Sequence, residues 1–162
     1  MLTLDNLLLQ THVNTSFSAA VARLCECSLW GQRLFAKDGS LLDDLLQNHA
    51  QAYEIAEMQH FLNAAQIVDE ISLKKSLRQL RQRVLLRIIY RDLNGLADLQ
   101  EVLQTTTSLA EIVLNTAVQS LHTWLALKYG TPLSSAGEPQ TLIVVGMGKL
   151  GGGELNVSSD ID

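Results

Sequence analysis

Cysteine and proline are almost missing from this chain, with two of each in 162 residues. The cysteines, Cys25 and Cys27, stand one residue apart inside a helical pattern. That spacing suits neither a disulfide-stapled fold nor a four-ligand zinc site. Together with the lack of a signal peptide, it points to a reducing cytoplasm. No apolar run approaches the roughly 18 residues needed to cross a bilayer, so no membrane segment is expected. Positive charge is also in short supply. A net charge of −5 disfavours a nucleic-acid partner, since a polyanion is repelled except at a local basic patch. What remains is 47% hydrophobic and long enough for one domain with a sizeable core.

Both prolines, Pro132 and Pro139, fall in Thr131-Pro-Leu-Ser-Ser-Ala-Gly-Glu-Pro-Gln140, a linker in composition. Before it, the pattern is helical. The spacing of Phe17, Val21, Leu24 and Leu29 predicts one helix from about Ser16 to Phe35. Asp38-Gly39-Ser40 ends it, with Ser40 as N-cap of a second helix and Asp43 and Asp44 in its first turn. A third helix is expected from Gln51 to Leu62. Over 70–93, Leu73, Leu77, Leu80, Val84 and Ile88 build one apolar stripe. The same stretch carries Lys74, Lys75, Arg78, Arg81, Arg83, Arg87 and Arg91, seven of the twelve basic residues. Those charges fit a solvated face with salt bridges to the acidic remainder, or a surface that meets phosphate or an acidic partner.

Asn94-Gly95 ends that helix, and a short one is expected from Leu96 to Leu103. Thr105-Thr106-Thr107 reads as a break, and Ser108-Leu-Ala-Glu111 as the capping box of a further helix. That helix would carry Ile112, Leu114, Ala117, Leu121 and Trp124 inward and end at Gly130. His122 lacks a second ligand at helical spacing and reads as a packed or surface residue. The expected organisation is a helical region over 1–130, a linker over 131–140 and the start of a second domain over 141–162.

The chemistry lies in that last stretch, TLIVVGMGKLGGGELNVSSDID. A strand is expected over Thr141–Val145, followed by a loop holding five glycines and then Asp160 and Asp162. Gly146-Met-Gly148-Lys-Leu-Gly151 matches the dinucleotide fingerprint letter for letter. The triple glycine is nevertheless a poor helix start, and Asn156, Ser158 and Ser159 look like loop. A Walker loop fails because Leu150 replaces the hydroxyl residue that would hold magnesium. A nucleotidyltransferase site fits better. On a strand, Asp160 and Asp162 share a face. Two such carboxylates repel unless a cation lies between them, and hard oxygen ligands select magnesium or manganese. A glycine loop lets backbone N–H groups approach phosphate closely, and Ser158 and Ser159 add donors. The competing structural reading is a tight turn with the two aspartates capping the next element.

Residues 146–162 resemble the signature of the glutamine-synthetase adenylyltransferase/adenylyl-removing enzymes, a bifunctional family of polymerase-β-like nucleotidyltransferases. Leu86-Arg-Ile-Ile-Tyr-Arg-Asp-Leu93 is similar to a second segment of that family, so the likeness covers about residues 70 to 162. It implies a mostly α chain, in which a helical region leads into the first strand and Gly-rich loop of a truncated α+β nucleotidyltransferase domain. It further implies that Asp160 and Asp162 are catalytic Mg2+ ligands, and that Gly151, Gly152 and Ser159 lie near phosphate. For Lys149 a phosphate contact stands beside a solvated loop lysine. The implied activity is magnesium-dependent removal of AMP from an adenylylated tyrosine of glutamine synthetase by phosphorolysis, releasing ADP; a C-terminal copy in the family performs the transfer from ATP. A PII-type signal protein is a further implied partner. The third carboxylate of such sites would lie beyond Asp162, so the chain reads as an N-terminal fragment, inactive alone. The alternative function is a non-catalytic helical module, residues 1–130, that docks on glutamine synthetase or a PII-type protein.

Overall fold

The computed structural model describes residues 15–159. The chain is mostly α, as expected. Its helices are α1 (Thr15–Cys27), α2 (Leu29–Lys37), α3 (Ser40–Asn48), α4 (Ile55–Ala64), α5 (Glu70–Leu93), α6 (Leu99–Tyr129) and the single turn α7 (Gly148–Gly151). The order follows from α5. Asp69 caps it, accepting from the Ser72 N–H at 2.7 Å while the Ser72 hydroxyl lies 3.0 Å from the Asp69 N–H. The Ser72 hydroxyl, which donates to Asp69 Oδ1 at 2.6 Å, and the Ser72 N–H hold the Asp69 carboxyl below its ordinary pKa. Along its second half α5 is buried on every side, with Val84, Leu85, Leu86, Arg87 and Ile88 in unbroken succession. A helix apolar all round must sit inside other elements. Here α1, α3, α4 and α6 all pack on it.

Two apolar cores result, one on either side of α5. Leu86 and Tyr90 meet Phe17, Val21 and Leu24 of α1, Phe35 of α2 and Leu41 and Leu45 of α3. Leu80, Val84, Leu85 and Ile88 meet Met58 and Leu62 of α4 and Val102 and Leu109 of α6.

Several local expectations are corrected. The helix expected from Ser16 to Phe35 breaks at Ser28, whose hydroxyl accepts from the Gly31 N–H at 3.2 Å and caps α2. A side chain on Gly31 would fall 2.5 Å from Leu24 Cδ2, so α2 comes this close to α1 only over a glycine. Ser40 is not the cap of α3; it is the first helical residue, and Asp38 Oδ1 accepts from both its N–H and its hydroxyl, at 3.1 and 2.7 Å. The third helix begins at Ile55 rather than Gln51, because Tyr53 is buried in the preceding loop.

The largest correction concerns Thr105-Thr106-Thr107. They do not break the chain; Leu99–Tyr129 is one helix, capped by Asp98 through the Glu101 N–H at 2.8 Å. The helix expected to end at Leu103 and the Ser108 capping box are both absent there. β-branched residues cost a helix at most about 0.7 kcal/mol each. Burial of all three threonines, beside Val102 and Leu109, outweighs that penalty. Ile112 and Val113 still pack on the core, but toward its C-terminal end α6 exposes its apolar residues. Leu121, expected inward, is 38% exposed, and Leu125, Leu127 and Tyr129 are more so.

The stretch 131–140 is a tight reversal rather than open chain. Leu133 and Pro139 form an isolated antiparallel bridge, and the Ser134 N–H donates to Glu138 at 2.8 Å. Gly137, at φ +82, makes the turn that a side chain would strain. Thr141–Val145, expected as a strand, is exposed and pairs with no other strand among the described residues. A strand needs a second edge for its N–H and C=O groups, and 15–159 supply none.

Two predictions follow from the spine and its burial. Replacing Arg87 by Met takes from Glu57 its bidentate partner, while Asp44 keeps Arg83, and should lower the unfolding free energy by about 2 kcal/mol in urea melts; Lys74→Met, at an exposed ion pair with Glu70, should change it by less than about 0.5 kcal/mol. Burial pushes the Cys25 thiol from 9.0 up to about 11 and the Tyr53 hydroxyl from 10.0 up to about 12. The fold thus holds protons that the unfolded chain releases first. Their contribution is complete below about pH 9 and lost as pH rises through 11 to 12, so denaturation midpoints should fall steeply across that window, and less steeply in Cys25→Ala.

Candidate functional site

The glycine loop is shaped by backbone collisions and by left-handed conformations. Gly148 and Gly153 bracket the α7 turn at φ +57 and +72, values that L side chains resist. Gly151 lies against the Gly146 carbonyl so tightly that any Cβ would strike its oxygen. The loop therefore closes on itself. Within it the Gly151 N–H donates to Met147 at 3.3 Å, Gly152 to Gly148 at 2.9 Å, Gly153 to Leu150 at 3.2 Å and Glu154 to Lys149 at 2.7 Å. The N–H groups of Gly148, Lys149 and Leu150 meet no acceptor among the described residues. Gly151 and Gly152 bring backbone close, and the open donors come from the three residues before them.

What seats this loop on the helical region is the threonine run. Thr106 Oγ1 lies within hydrogen-bonding distance of the Val102 carbonyl, a turn back on α6, and 2.7 Å from the Leu155 carbonyl. Thr107 Oγ1 accepts from the Leu155 N–H at 3.4 Å. Leu155 is 5% exposed, and Val157 packs on the core shared by α4, α5 and α6. Beyond Leu155, Asn156 organises the chain. Its Oδ1 accepts from the Ser158 N–H and hydroxyl, at 3.1 and 2.9 Å, and from the Ser159 hydroxyl at 3.1 Å. Its carbonyl accepts from the Ser159 N–H at 3.0 Å. This is a turn that Asn side chains favour.

These restraints open a cleft of about 680 Å³ lined by Val144, Gly146, Lys149, Leu150, Ser158 and Ser159, with Leu114 of α6 as part of its wall. That volume lies in the range of small-molecule sites. Of the residues expected to meet phosphate, Lys149 and Ser159 share this cleft. Gly151 faces an adjacent hollow with Glu111 and Asn115, and Gly152 ends the α7 turn. Asp160 and Asp162, the expected metal ligands, lie outside the described residues. His122 is half-buried on α6. The site expectations omitted Asn156 and the Thr106–Leu155 clamp. An Asn two residues before a Ser-Ser pair was a readable signal for the turn, whereas the clamp spans 49 residues and had none.

If the clamp holds the loop, Thr106→Val leaves the buried Leu155 carbonyl unpartnered. Amide exchange of residues 153–159 should then quicken about tenfold, in line with the roughly 1–1.5 kcal/mol of one hydrogen bond, while Thr106→Ser stays near wild type.

A family model described as glutamate-ammonia ligase adenylyltransferase matches residues 18–162. The chain is 40% identical over 158 residues to the bifunctional glutamine synthetase adenylyltransferase/adenylyl-removing enzyme of Nitrosomonas eutropha, a match covering 94% of this chain and 17% of that protein. Against the protein of the same description from Chromobacterium violaceum it is 44% identical over 146 residues, 90% of this chain and 16% of the relative. A Bordetella pertussis relative is 56% identical over 87 residues, 53% of this chain and 9% of its own length. The chain thus spans about a sixth of the length of the first two of these relatives. A family match over nearly the whole chain, together with the glycine loop that ends it, leads to one conclusion: the chain belongs to the glutamate-ammonia ligase adenylyltransferase family.

Proposed function

We propose that this chain is the N-terminal part of an enzyme that adenylylates and deadenylylates glutamine synthetase, and that 141–162 begin its nucleotidyltransferase site, of the polymerase-β-like kind. One observation carries the reading: the clamp on Leu155 and the Asn156 turn place Lys149 and Ser159 on one cleft, with Asp160 next in the chain. The relatives' descriptions supply the substrate class.

The reaction is phosphorolysis of an adenylyl-tyrosine. An oxygen of inorganic phosphate attacks the adenylyl phosphorus in line, the bond from phosphorus to the tyrosine oxygen breaks, that oxygen takes up a proton, and ADP leaves. The chain's own residues bind and orient. The Lys149 ammonium and the unengaged N–H groups of 148–150 face negative charge on the phosphates. The Ser159 hydroxyl, positioned at the cleft by its bonds to Asn156, becomes a donor to phosphate by giving up its bond to Asn156 Oδ1. Gly151 keeps the loop closed so that these groups stand ready before substrate arrives. Asp160 and Asp162 are hard oxygen donors of the sort Mg2+ takes, and Asp160 is next in sequence to Ser159. When bound there, Mg2+ supplies charge neutralisation on the phosphates. ATP in the forward direction, a PII-type regulator and a cytoplasmic setting belong to the same proposal.

The test joins residues 1–162 to the remainder of the Chromobacterium violaceum relative in place of its matching stretch. This chimera is incubated with adenylylated glutamine synthetase, phosphate and magnesium, and ADP is measured. ADP should appear only with phosphate and should fall at least a thousandfold in Asp160→Asn and in Asp162→Asn. ADP that survives both substitutions returns the aspartates to a capping role and leaves the helical region as a docking module.

A further inference from the structure

Of the seven basic residues on α5, four are engaged by the fold: Lys74 by Glu70, Arg83 by Asp44, Arg87 by Glu57 and Arg91 by Glu101. Lys75, Arg78 and Arg81 are different. They are exposed, recur at every third residue along one ridge of the helix, and have no acceptor among the described residues. Arg81 ends this ridge at the terminal loop. There it walls a groove of about 110 Å³ with Asn156, Val157 and Ser159, floored by Leu85 and Leu109. Ser159 also borders the larger cleft that holds Lys149. The serine that precedes Asp160 therefore borders two openings, one lined by Lys149 of the loop and one by Arg81 of the helical region.

We propose that Arg81 is a phosphate-binding residue of this site, contributed to the loop by α5, with Arg78 and Lys75 drawing the anion toward it. The inference deepens the transfer reading and rests on it for the identity of the anion. A guanidinium presents a planar pair of donors to phosphate oxygens, and its apolar floor weakens competition from water. The groove is small, about 110 Å³, the scale of a single phosphate group. Its occupant is inorganic phosphate or one phosphate of a nucleotide whose remainder lies in the larger cleft.

The experiment uses the 162-residue chain, titrated at low salt with inorganic phosphate and separately with ADP, each with and without magnesium, and followed by NMR of the arginine Nε–H and backbone amides. Either ligand should shift Arg81 and Ser159. Arg81→Gln should weaken binding about tenfold, the equivalent of one charge-assisted hydrogen bond at about 1.4 kcal/mol per decade. Arg81→Lys should weaken it less, and Arg33→Gln on α2 should leave it unchanged. Shifts with phosphate alone assign the groove to the free anion, and shifts with ADP alone assign it to the nucleotide. Unchanged affinity in Arg81→Gln, or no shift at Arg81 with either ligand, overturns the proposal. So does phosphate binding that emerges only in Asp160→Asn, because Arg81 would then be the partner of that carboxylate. Arg81-dependent binding alongside ADP release that survives both aspartate substitutions in the chimera would remove the transfer reading and leave this one standing.

Discussion

Arg87 holds a full positive charge at 2% exposure in the middle of α5, and the arrangement of the helices around it is what allows this. Its two terminal nitrogens each reach a Glu57 carboxylate oxygen at 2.8 Å, Asp44 stands 3.8 Å away, and the guanidinium lies 4.0 Å over the Tyr53 ring. A buried charge left unpaired would cost several kcal/mol, so α3, α4 and the loop between them must each arrive in place. Arg91, one turn on, does the same for the other end. It pairs with Glu101 at 2.6 and 2.9 Å and donates to the carbonyls of His49 and Leu96. The hydrogen bond to Glu101 keeps it charged more firmly than an isolated arginine. Such pairs add little net stability over an apolar core, but they penalise every wrong register of the helices.

The position of the glycine loop depends on this spine at one remove. Arg91 and Glu101 fix where α6 begins relative to α5, and that sets the height of Thr106 five residues later. Thr106 and Thr107 hold Leu155, Leu155 seats the Asn156 turn, and the turn presents Ser159. The chemistry proposed for the loop therefore stands on helices that, Arg81 apart, serve it as a support. This division suits a site of small, strongly charged groups, because donors on a rigid support need little reorganisation as charge develops.

Membership of the adenylyltransferase family gives the apolar surface a context. Leu125, Leu127 and Tyr129 near the C-terminal end of α6, and Leu142 to Val145 beyond the reversal, are exposed side chains of the sort that soluble proteins cover. The chain matches about a sixth of its relatives' length.

Much of the helical plan was legible in the residues. The stripe from Leu73 to Ile88 and the Asn94-Gly95 stop are local signals and gave α5 to the residue. The long glycine motif was equally plain, because a backbone that touches itself at Gly146 and Gly151 tolerates nothing larger. Other features depended on partners distant in sequence. Three consecutive threonines look like a break until Val102, Leu109 and Leu155 are seen to bury them. Seven basic residues look alike until Asp44, Glu57 and Glu101 engage Arg83, Arg87 and Arg91 and leave Arg81 open beside Ser159. The apolar run 141–145 has the composition of a strand, yet without a second edge it remains an exposed extended segment. The sequence by itself determined the helical character and the conformational demands of the glycines, since each is settled within about four residues. Tertiary structure alone decided which charges are buried, which helix runs on and which arginine faces the site, because each of those is a contest between groups that meet only when the chain is folded.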